Sequence, residues 1–511
     1  MELKNIYFGA TDAKNELRDN SIESNQRFEK AFLLPENINI DSFRKGDKFI
    51  IYGMKGTGKT ALLRYLEIVL KKDENIKTSF VLFKTEFTEE RRKEFNRNKI
   101  DLITQSDLSK IDEKSDFEGI WRYFFFHYII DRCAQGDGIF FKDQNWKEMV
   151  NIFSSIEKKK QSFFPNIKKG TLQILAAAFS AKVGIELEKT PERSYQSISF
   201  SEFLQKVERA FSRLNADQKG TLYIFLDELE LGYMSKKQYQ RDSCIIRDLI
   251  VSVSYINDFC KKYKFPIKII TSVRLEVLMS ISAIGKEINK VVEDFGTLIS
   301  WHQAGGDDRE HPLIRIIMKR LLFAEELLET KENIENIRKK YFPNERIQNK
   351  TVERYILDNS WYRPRDIVRF LNLAKDHAPN ESSFTHSIFD GIRKTYSIKS
   401  WTECLEEMKA RYNNEQLEAL KIIFNGWKRE FTSEEFSDRV LACKRQDTRL
   451  EVFKEKKVGE LLENLYRVGI IGNKYMDFNT MKYRFVFRGD EGLFLDKKMM
   501  IHSALVPVFS L

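Results

Sequence analysis

The chain has 511 residues, of which 42% are hydrophobic and 32% are charged, and its formal net charge is +10. At roughly 150 residues per domain, this length predicts about three domains, with cores that need no disulfide or metal to hold them together. The apolar stretches fall short of the roughly 18 residues of a membrane span and the N-terminus lacks the apolar core of a secretion signal, so a cytoplasmic protein outside the membrane is expected.

The first strand pattern, at 48–52, leads directly into a glycine-rich segment at 53–60 with the sequence GMKGTGKT, and a helical pattern follows up to residue 70. Further strand patterns lie at 79–84, 221–226, 267–272 and 296–301, and helical patterns lie at 117–133, 200–214 and 245–263. Strands that alternate with helices are typical of a parallel sheet covered on both faces. The sequence therefore predicts an α/β core.

Residues 135–199 interrupt this alternation with a basic stretch followed by an apolar one, and they are predicted to be an insertion. From 311 to about 378 the pattern is helical only, which predicts a small all-α lid. Later helical patterns at 415–424, 433–443 and 457–467 precede strand patterns at 469–474 and 483–488. Three helices followed by a hairpin indicate a winged helix at the C-terminal end.

The glycine-rich segment matches G-x-x-x-x-G-K-[ST], the pattern of a phosphate-binding P-loop. Its glycines let successive backbone N–H groups turn towards a phosphate, and the following helix adds its positive N-terminal end. The amino group of Lys59 is expected to reach the β- and γ-phosphates, and the hydroxyl of Thr60 to bind Mg²⁺. The predicted nucleotide-binding residues of the loop are Gly53, Gly56, Thr57, Gly58, Lys59 and Thr60.

An acidic pair, Asp227 and Glu228, ends the most apolar strand pattern. By themselves, carboxylates at a strand end are often no more than part of a solvated turn. In a P-loop protein the first acid holds Mg²⁺ and the second orients and deprotonates the attacking water. Thr60 and Asp227 are therefore the predicted metal ligands, Glu228 is the predicted general base, and the predicted cofactors are ATP and Mg²⁺.

Two further sites are candidates for sensing the γ-phosphate. Thr271 or Ser272, together with Arg274, closes the next strand pattern, although an ordinary strand end would look the same. In the lid, Pro364 at a helix start is followed by Arg365, which would direct a helix N-terminus and a guanidinium towards a nucleotide; an exposed, capped helix is the alternative. The predicted catalytic residues are Glu228, Lys59, Arg274 and Arg365, and Asp227 and Ser272 join the predicted nucleotide-binding set.

Cysteine and histidine chemistry is not predicted. The five cysteines are odd in number and include no close pair, which favours reduced, buried thiols over disulfides or a zinc site. The six histidines show no ligand spacing, and none lies near a plausible nucleophile in the sequence. We interpret the histidines as structural or surface residues.

Taken in order, GMKGTGKT, the strand ending in LDELE, the strand ending in ITSVR and the lid motif RPRD resemble the AAA+/STAND group of P-loop ATPases. The likeness is to the branch related to origin-recognition initiators and to predicted bacterial ATPases of defence and mobile-element loci, and it extends over nearly the whole chain. The resemblance implies Walker A at 53–60, Walker B at Asp227 and Glu228, sensor 1 at Thr271 or Ser272 with Arg274, and sensor 2 at Arg365.

The chain departs from that family in two respects. The spacing from Lys59 to Asp227 is much longer than a minimal AAA+ core needs, and we identify no arginine finger, so ring assembly is left open. The predicted domains are a lead-in at 1–45, a P-loop ATPase core at 46–305 with the insertion at about 135–199, an all-α lid at 306–396 and a winged-helix domain at 397–511.

The leading hypothesis is an ATP-hydrolysing switch in which nucleotide sets the lid and the lid moves the winged helix or a partner, and the resemblance implies a role in anti-phage defence. The alternative is an ATP-licensed, DNA-binding initiator or loader. Four bases and three acids between 454 and 467 give the third predicted helix of the winged-helix domain a net charge of only +1, which favours docking of protein over DNA. A partner protein or effector subunit is thus predicted, while a homo-oligomer and DNA stay open and a membrane partner is not expected.

Overall fold

The structure is a computed structural model. It describes residues 1–19, 21–83, 117–135, 138–155, 167–168, 171–175, 195–229, 236–282, 288–303, 305–344, 346–409, 411–447, 450 and 458–511. Most of the predicted insertion lies outside the described residues, including four of the five bases of its basic stretch, Lys158, Lys159, Lys160 and Lys169. Lys84 and the bases at 454–457 lie outside them as well.

The helices follow the chain as α1 (Ala13–Glu16), α2 (Ile22–Ala31), α3 (Ile40–Lys45), α4 (Lys59–Leu70), α5 (Glu118–Ala134), α6 (Gln144–Ser154), α7 (Phe200–Ser212), α8 (Lys236–Lys262), α9 (Leu275–Ser282), α10 (Ile288–Phe295), α11 (Pro312–Ala324), α12 (Lys331–Tyr341), α13 (Val352–Asp358), α14 (Pro364–His377), α15 (His386–Met408), α16 (Asn414–Phe424), α17 (Ser433–Gln446) and α18 (Val458–Arg467). Side-chain caps explain several starts: Asn413 and Thr432 form capping boxes with Gln416 and Glu435 at the beginnings of α16 and α17.

The strands are β1 (Ile50–Gly53), β2 (Ile76–Leu82), β3 (Ile167–Lys168), β4 (Thr171–Leu175), β5 (Tyr195–Ser199), β6 (Thr221–Leu229), β7 (Ile267–Arg274), β8 (Gly296–Leu298), β9 (Arg346–Ile347), β10 (Lys350–Thr351), β11 (Glu430–Phe431), β12 (Ile471–Asp477), β13 (Thr480–Arg484) and β14 (Met499–Ile501). The chain divides into two compact units by its backbone contacts. One comprises Met1–Asn37, Met54–Tyr65 and Ile299–Leu511, and the other comprises Ile38–Gly53 and Leu66–Leu298.

The unit that contains Leu66–Leu298 is built on a five-stranded parallel sheet in the order β2–β6–β7–β1–β8. Most side chains of β6 and β7 are buried whichever face they point to, so these strands form continuous apolar runs in the sequence. Helix α5 packs against α8, and the indole of Trp121 donates to the carbonyl of Ile245 at 3.0 Å. The predicted α/β fold with a parallel sheet is confirmed.

Several predicted bounds in this unit are wrong. Strand β2 covers Ile76–Leu82 instead of 79–84, β8 ends at Leu298, and β6 continues through the acidic pair to Leu229. Helix α8 begins at Lys236, nine residues before the predicted 245. The sequence did not predict these early turns because they contain a buried Arg241–Asp242 ion pair (2.7 Å), and charged residues interrupt the apolar pattern of a helix. Within the predicted insertion, β3, β4 and β5 form an antiparallel sheet.

The other unit contains helices α11 to α15, of which α11 to α14 and the start of α15 belong to the predicted lid. The prediction that residues 311 to about 378 are helical only is wrong, because β9 and β10 form a short antiparallel hairpin there. The two residues between these strands, Gln348 and Asn349, have φ values of 51° and 63°. A turn with two such residues matches the right-handed twist of paired strands. Strands of two residues are too short to leave a periodic pattern in the sequence, which explains the missed hairpin.

The C-terminal part of the same unit runs in the order α16, β11, α17, α18, β12, β13 and β14, and its four strands form an antiparallel sheet in the order β11–β14–β12–β13. The predicted strands at 469–474 and 483–488 are shifted. The hairpin pairs residues 473–477 of β12 with β13 (Thr480–Arg484) around a tight turn at Phe478 and Asn479. Strands β11 and β14 were not predicted. None of the helices that the structure describes has both the length and the apolar content to cross a bilayer.

Candidate nucleotide-binding site

The sheet order brings the ends of three strands together. Strand β7 lies between β1 and β6, and the last residues of β1 and β7, Gly53 and Arg274, are direct partners in the parallel register. On its other side β7 pairs with β6, where Thr271 is opposite Leu226. The carboxyl ends of neighbouring parallel strands form one edge, which is the usual ligand-binding edge of such sheets. The strand that precedes the glycine-rich segment therefore ends on the same edge as the acidic pair.

The acidic pair lies on a β-bulge. Leu226 pairs with Thr271 and Leu229 pairs with Val273, so that Asp227 and Glu228 together face the single residue between those partners. Glu228 has a φ of 60°, in the left-handed region that a residue with a long side chain rarely adopts. In an unbroken strand the two carboxylates would point to opposite faces. A bulge removes that alternation and redirects side chains, as is common next to active sites.

Asp227 is buried, with 3% of its surface exposed, and one carboxylate oxygen, Oδ1, accepts a short hydrogen bond from the hydroxyl of Ser272. Its other oxygen, Oδ2, is also buried and has no hydrogen-bond partner among the described residues. The same is true of the hydroxyl oxygen of Thr271. The structure thus joins the predicted Walker B acid directly to Ser272. Arg274 is the last residue of β7, two positions after Ser272, and its guanidinium is 3.9 Å from the carboxylate of Glu276.

The glycine-rich segment forms a tight loop at the start of α4. Gly56 and Gly58 have φ values of 83° and 96°, so both positions need the conformational freedom of glycine. The ammonium of Lys59 donates to the carbonyl of Met54 at 2.8 Å, and the hydroxyl of Thr57 donates to the same oxygen at 2.9 Å. Lys59 is therefore folded back over its own loop, where a phosphate would compete with the Met54 carbonyl for the ammonium.

Two elements outside the motif hold this loop. The indole of Trp301 donates to the carbonyl of Thr57 at 2.8 Å, and the backbone N–H of Arg365 donates to the carbonyl of Gly56 at 3.4 Å. Arg365 follows Pro364 at the start of α14, as predicted from the sequence. A β-carbon added to Gly56 would lie 3.2 Å from the side chain of Arg363. The N-terminus of α14 therefore packs directly on the loop, and Thr60 lies in the first turn of α4.

The side chains at this contact form a cluster of ion pairs. The ammonium of Lys55, inside the glycine-rich loop, is 3.7 Å from the Glu403 carboxylate and 3.8 Å from that of Glu407. Arg365 is 3.1 Å from Glu403, and Arg363 is 3.3 Å from Glu407. Both glutamates belong to α15. Arg365, the predicted sensor 2, is thus paired with a carboxylate beside the loop, and its Nε also donates to the carbonyl of Thr11 at 3.0 Å.

These charges hold one another ionised. Burial raises the pKa of Glu403, but the cations of Arg369, Arg365 and Lys55 outweigh that effect and bring the pKa to about 2. Burial lowers the pKa of Arg363, yet the surrounding carboxylates raise it above the ordinary value. Removal of one partner would leave buried charge without compensation, which is more costly than the net stabilisation of an intact pair.

The predicted site residues fall into two groups that the structure brings together separately. On the sheet edge lie Gly53, Asp227, Glu228, Ser272 and Arg274; around the loop lie Gly56, Thr57, Gly58, Lys59, Thr60 and Arg365. Sequence reasoning missed Lys55, Trp301 and the glutamates of α15. The glutamates did have a signal, because Glu403 and Glu407 are four residues apart and therefore share a helix face.

The two compact units each carry an oxygen donor of a kind that Mg²⁺ accepts. Mg²⁺ is usually held by one or two carboxylates plus substrate phosphates, with water in the remaining positions. The buried Oδ2 of Asp227 and the hydroxyl of Thr60 are oxygen donors of the required kind. In the described ranges, no group of three or more His, Cys, Asp and Glu side chains is arranged to hold a metal by itself.

Comparison with known proteins gives a family match and matches among solved structures. The family described as "FunZ-associated C-terminal helical domain" matches residues 312–404, which extend from α11 into α15 and include Arg365 and Glu403. No curated protein matches the chain. Among solved structures, "Structure of Drosophila ORC bound to DNA" aligns over 89% of this chain and 86% of that chain, at 12% sequence identity and a TM-score of 0.26. So low a score establishes no common fold, and the parallel sheet itself is what makes the chain compatible with an ATPase.

Proposed function

We propose that the chain is a Mg²⁺-dependent ATPase of the AAA+/STAND kind that works as a nucleotide-controlled switch. The main support is the sheet edge, where β7 with Ser272 and Arg274 lies between β1, which leads into the P-loop motif, and β6 with its bulged acidic pair. Such an arrangement pairs a phosphate-binding loop with acids suited to hydrolysis. We keep the proposed division into a lead-in at 1–45, a core at 46–305, a lid at 306–396 and a winged-helix domain at 397–511.

Each residue has a role in this proposal. The backbone N–H groups of the loop and the ammonium of Lys59 bind the phosphates, and Thr60 and Asp227 hold Mg²⁺, which neutralises phosphate charge when bound. Glu228 accepts the proton of the water that attacks the γ-phosphorus, so that phosphate and ADP are released. Ser272 fixes the orientation of the Asp227 carboxylate through its hydrogen bond. Arg274 senses the γ-phosphate.

The lid provides the switch. In the structure, the Arg365 guanidinium is paired with Glu403 while the backbone N–H of the same residue contacts the loop. We propose that a γ-phosphate takes over this guanidinium, since Arg binds phosphate and carboxylate with the same fork of donors. The exchange would release one ion pair between α14 and α15. Hydrolysis would restore that pair and the original position of the lid.

Nucleotide binding is tested by titrating Mg²⁺ and ATP into the wild-type protein, Lys59→Ala and Lys71→Ala. Lys71 lies directly after the same helix and is exposed, and among the described residues its ammonium pairs with Glu67 alone, at 2.8 Å. Lys71→Ala therefore removes one lysine near the same helix without removing a P-loop residue. Lys59→Ala is expected to lose ATP affinity by at least tenfold, and Lys71→Ala is expected to bind as the wild type does. Equal affinity in all three proteins would overturn the proposed site.

The lid role is tested with Arg365→Ala. This variant is expected to keep ATP affinity within severalfold but to lose the ATP-induced change in protease protection of α14 and α15. A large loss of affinity with an unchanged protection pattern would indicate a binding residue and not a switch.

We propose further that the C-terminal segment is a winged helix that docks protein. Its helices, short first strand and hairpin follow the order of that fold. Within the described part of α18, Glu460 and Glu463 outnumber Arg467, which is itself 3.9 Å from Glu463. The hairpin tip exposes apolar side chains among polar ones, with Phe478 98% exposed and Met476 58% exposed. These features favour a partner protein or effector over a duplex, whose readers usually present a net basic face.

A salt titration of duplex binding separates this proposal from the initiator-like alternative. The full-length protein is expected to bind a duplex weakly at physiological ionic strength. Tight binding whose affinity falls steeply with salt would favour the ATP-licensed initiator or loader instead. The proposed role in anti-phage defence depends on the motif resemblance, and an effector gene beside this one would support it.

A further inference from the structure

A cavity of about 330 Å³ lies within the unit that contains the lid and the C-terminal sheet. Its wall combines residues of β10 and α13 with residues of the C-terminal sheet and of the loop that follows β13. None of the P-loop residues lines it. The volume lies at the lower end of the range of roughly 300–1,000 Å³ typical of small-molecule sites. The cavity is therefore large enough for one compact ligand.

The wall is strongly basic. Five Lys and Arg side chains line the cavity against two carboxylates: Lys350, Arg354, Arg429, Lys474 and Arg488, with Asp358 and Glu430. Lys350 and Arg354 share Asp358, at 2.6 Å and 3.1 Å, and Lys474 pairs with Glu430. Burial lowers the pKa of His502, another lining residue, to about 3, so this ring is neutral and adds no charge. The lining consequently has a net charge of +3.

Two arginines, Arg429 and Arg488, account for two of these three charges. In the part of the chain that the structure describes, neither Arg429 nor Arg488 is paired with a carboxylate, and the Nε of each is buried without a hydrogen-bond partner. Arg429 donates from Nη2 to the hydroxyl of Ser503 at 2.8 Å. The guanidinium carbon of Arg488 is 5.5 Å from the centre of the Tyr362 ring. Buried polar groups of native proteins rarely lack partners, and each exception calls for an explanation such as a bound anion.

The apolar part of the wall consists of aromatic rings. Tyr362 and Phe487 stack with their centres 5.8 Å apart, and Phe487 and Phe485 stack at 4.9 Å. All three rings line the cavity. Near-parallel rings favour a further planar ring in offset stacking geometry. An arginine pair beside an aromatic wall matches a ligand that joins a phosphate to a flat heterocycle.

We propose that this cavity is a second ligand site, distinct from the P-loop, that binds a small organic phosphate with a planar ring, of the size of a nucleoside monophosphate. Arg429 and Arg488 bind the phosphate, and Tyr362, Phe485 and Phe487 contact the ring. A duplex could also present phosphates to these arginines. The volume of the cavity and its aromatic wall favour the small ligand.

The test uses AMP as the probe, titrated calorimetrically into full-length Lys59→Ala protein, in which the P-loop lysine is absent. AMP is expected to bind. Arg429→Gln and Arg488→Gln, each added to this background, are expected to weaken the affinity at least tenfold. Lys428→Gln is the matched control, because Lys428 neighbours Arg429 in the chain but does not line the cavity, and it is expected to change the affinity less than twofold.

Three outcomes would overturn the proposal: no binding of AMP at about 1 mM, AMP affinity that both arginine substitutions leave unchanged, or a parallel titration in which a short DNA duplex and not AMP loses affinity in both variants. Should Arg429→Gln fail to fold, as judged by circular dichroism, Arg488→Gln alone decides between these results. Arg488→Lys, which keeps the charge, is expected to bind AMP more tightly than Arg488→Gln.

Discussion

Substitution of Glu403 by Gln tests the ion-pair cluster that holds α15 against the glycine-rich loop and the start of α14. The Glu403 carboxyl is only 11% exposed and contacts Lys55, Arg365 and Arg369. A carboxyl whose pKa falls from the ordinary 4.5 to about 2 is stabilised in its ionised form by about 3 kcal/mol. Gln keeps the shape of the side chain but not its charge, so Glu403→Gln is expected to lower the free energy of unfolding by about 2–3 kcal/mol.

Urea unfolding at neutral pH measures this loss. With a slope of about 3 kcal/mol per M, the midpoint is expected to fall by up to about 1 M. The matched control is Glu406→Gln, whose side chain is 56% exposed and lies 3.7 Å from Lys55; exposed pairs of this kind contribute about 0–1 kcal/mol. Equal midpoints for the two variants would refute the reasoning.

The same pKa shift has a consequence in acid. Because the folded-state pKa of Glu403 is depressed, its contribution is fully present above pH 4.5 and is lost as the pH falls towards 2. The stability difference between wild type and Glu403→Gln should therefore shrink across that range. A difference that stays constant down to the lowest pH at which the protein folds would contradict the assigned charge state.

Two further predictions concern the loop and the buried histidine. Gly56→Ala and Gly58→Ala both place Ala at positive φ, but an added β-carbon at Gly56 lies 3.2 Å from Arg363, whereas one at Gly58 has no neighbouring atom within 4 Å. The free energy of unfolding of Gly56→Ala in urea should therefore be lower than that of Gly58→Ala by about 1 kcal/mol. Equal midpoints for the two variants would contradict the packing of α14 on the loop. Burial lowers the pKa of His502 to about 3 from 6.5. The contribution of the neutral ring to the free energy of unfolding is therefore fully present above pH 6.5 and is lost as the pH falls, by about 2 kcal/mol between pH 7 and pH 5. His502→Gln should remove that part of the acid sensitivity of unfolding, and His386→Gln, at an exposed position, should not.

The parallel sheet and the P-loop could both be predicted from the sequence because the determinants of each are local. Buried parallel strands such as β6 need continuous apolar runs, and a P-loop needs glycines at positions such as Gly56 and Gly58 whose φ is positive. The start of α14 was also predictable, since Pro364 at the first helical position is a local preference.

The rest depended on contacts between distant residues. The bulge at Asp227 and Glu228 is defined by the pairing of β6 with β7, and the apolar pattern of β6 alone does not indicate the extra residue. The carboxylate partner of Arg365 lies in another helix, so the motif RPRD indicated the position of Arg365 but not its ion pair with Glu403. Strands β11 and β14 were missed because two or three residues give no measurable alternation.

The most direct test of the central claim is ATP turnover by Glu228→Gln, with ATP affinity measured on the same sample. If Glu228 is the general base, this variant binds ATP and Mg²⁺ as tightly as the wild type and loses most of its turnover, on the order of a hundredfold or more. Glu293→Gln, an exposed glutamate in the same unit, should retain both properties. Wild-type turnover in Glu228→Gln would contradict the assignment of the acidic pair and with it the proposed ATPase site.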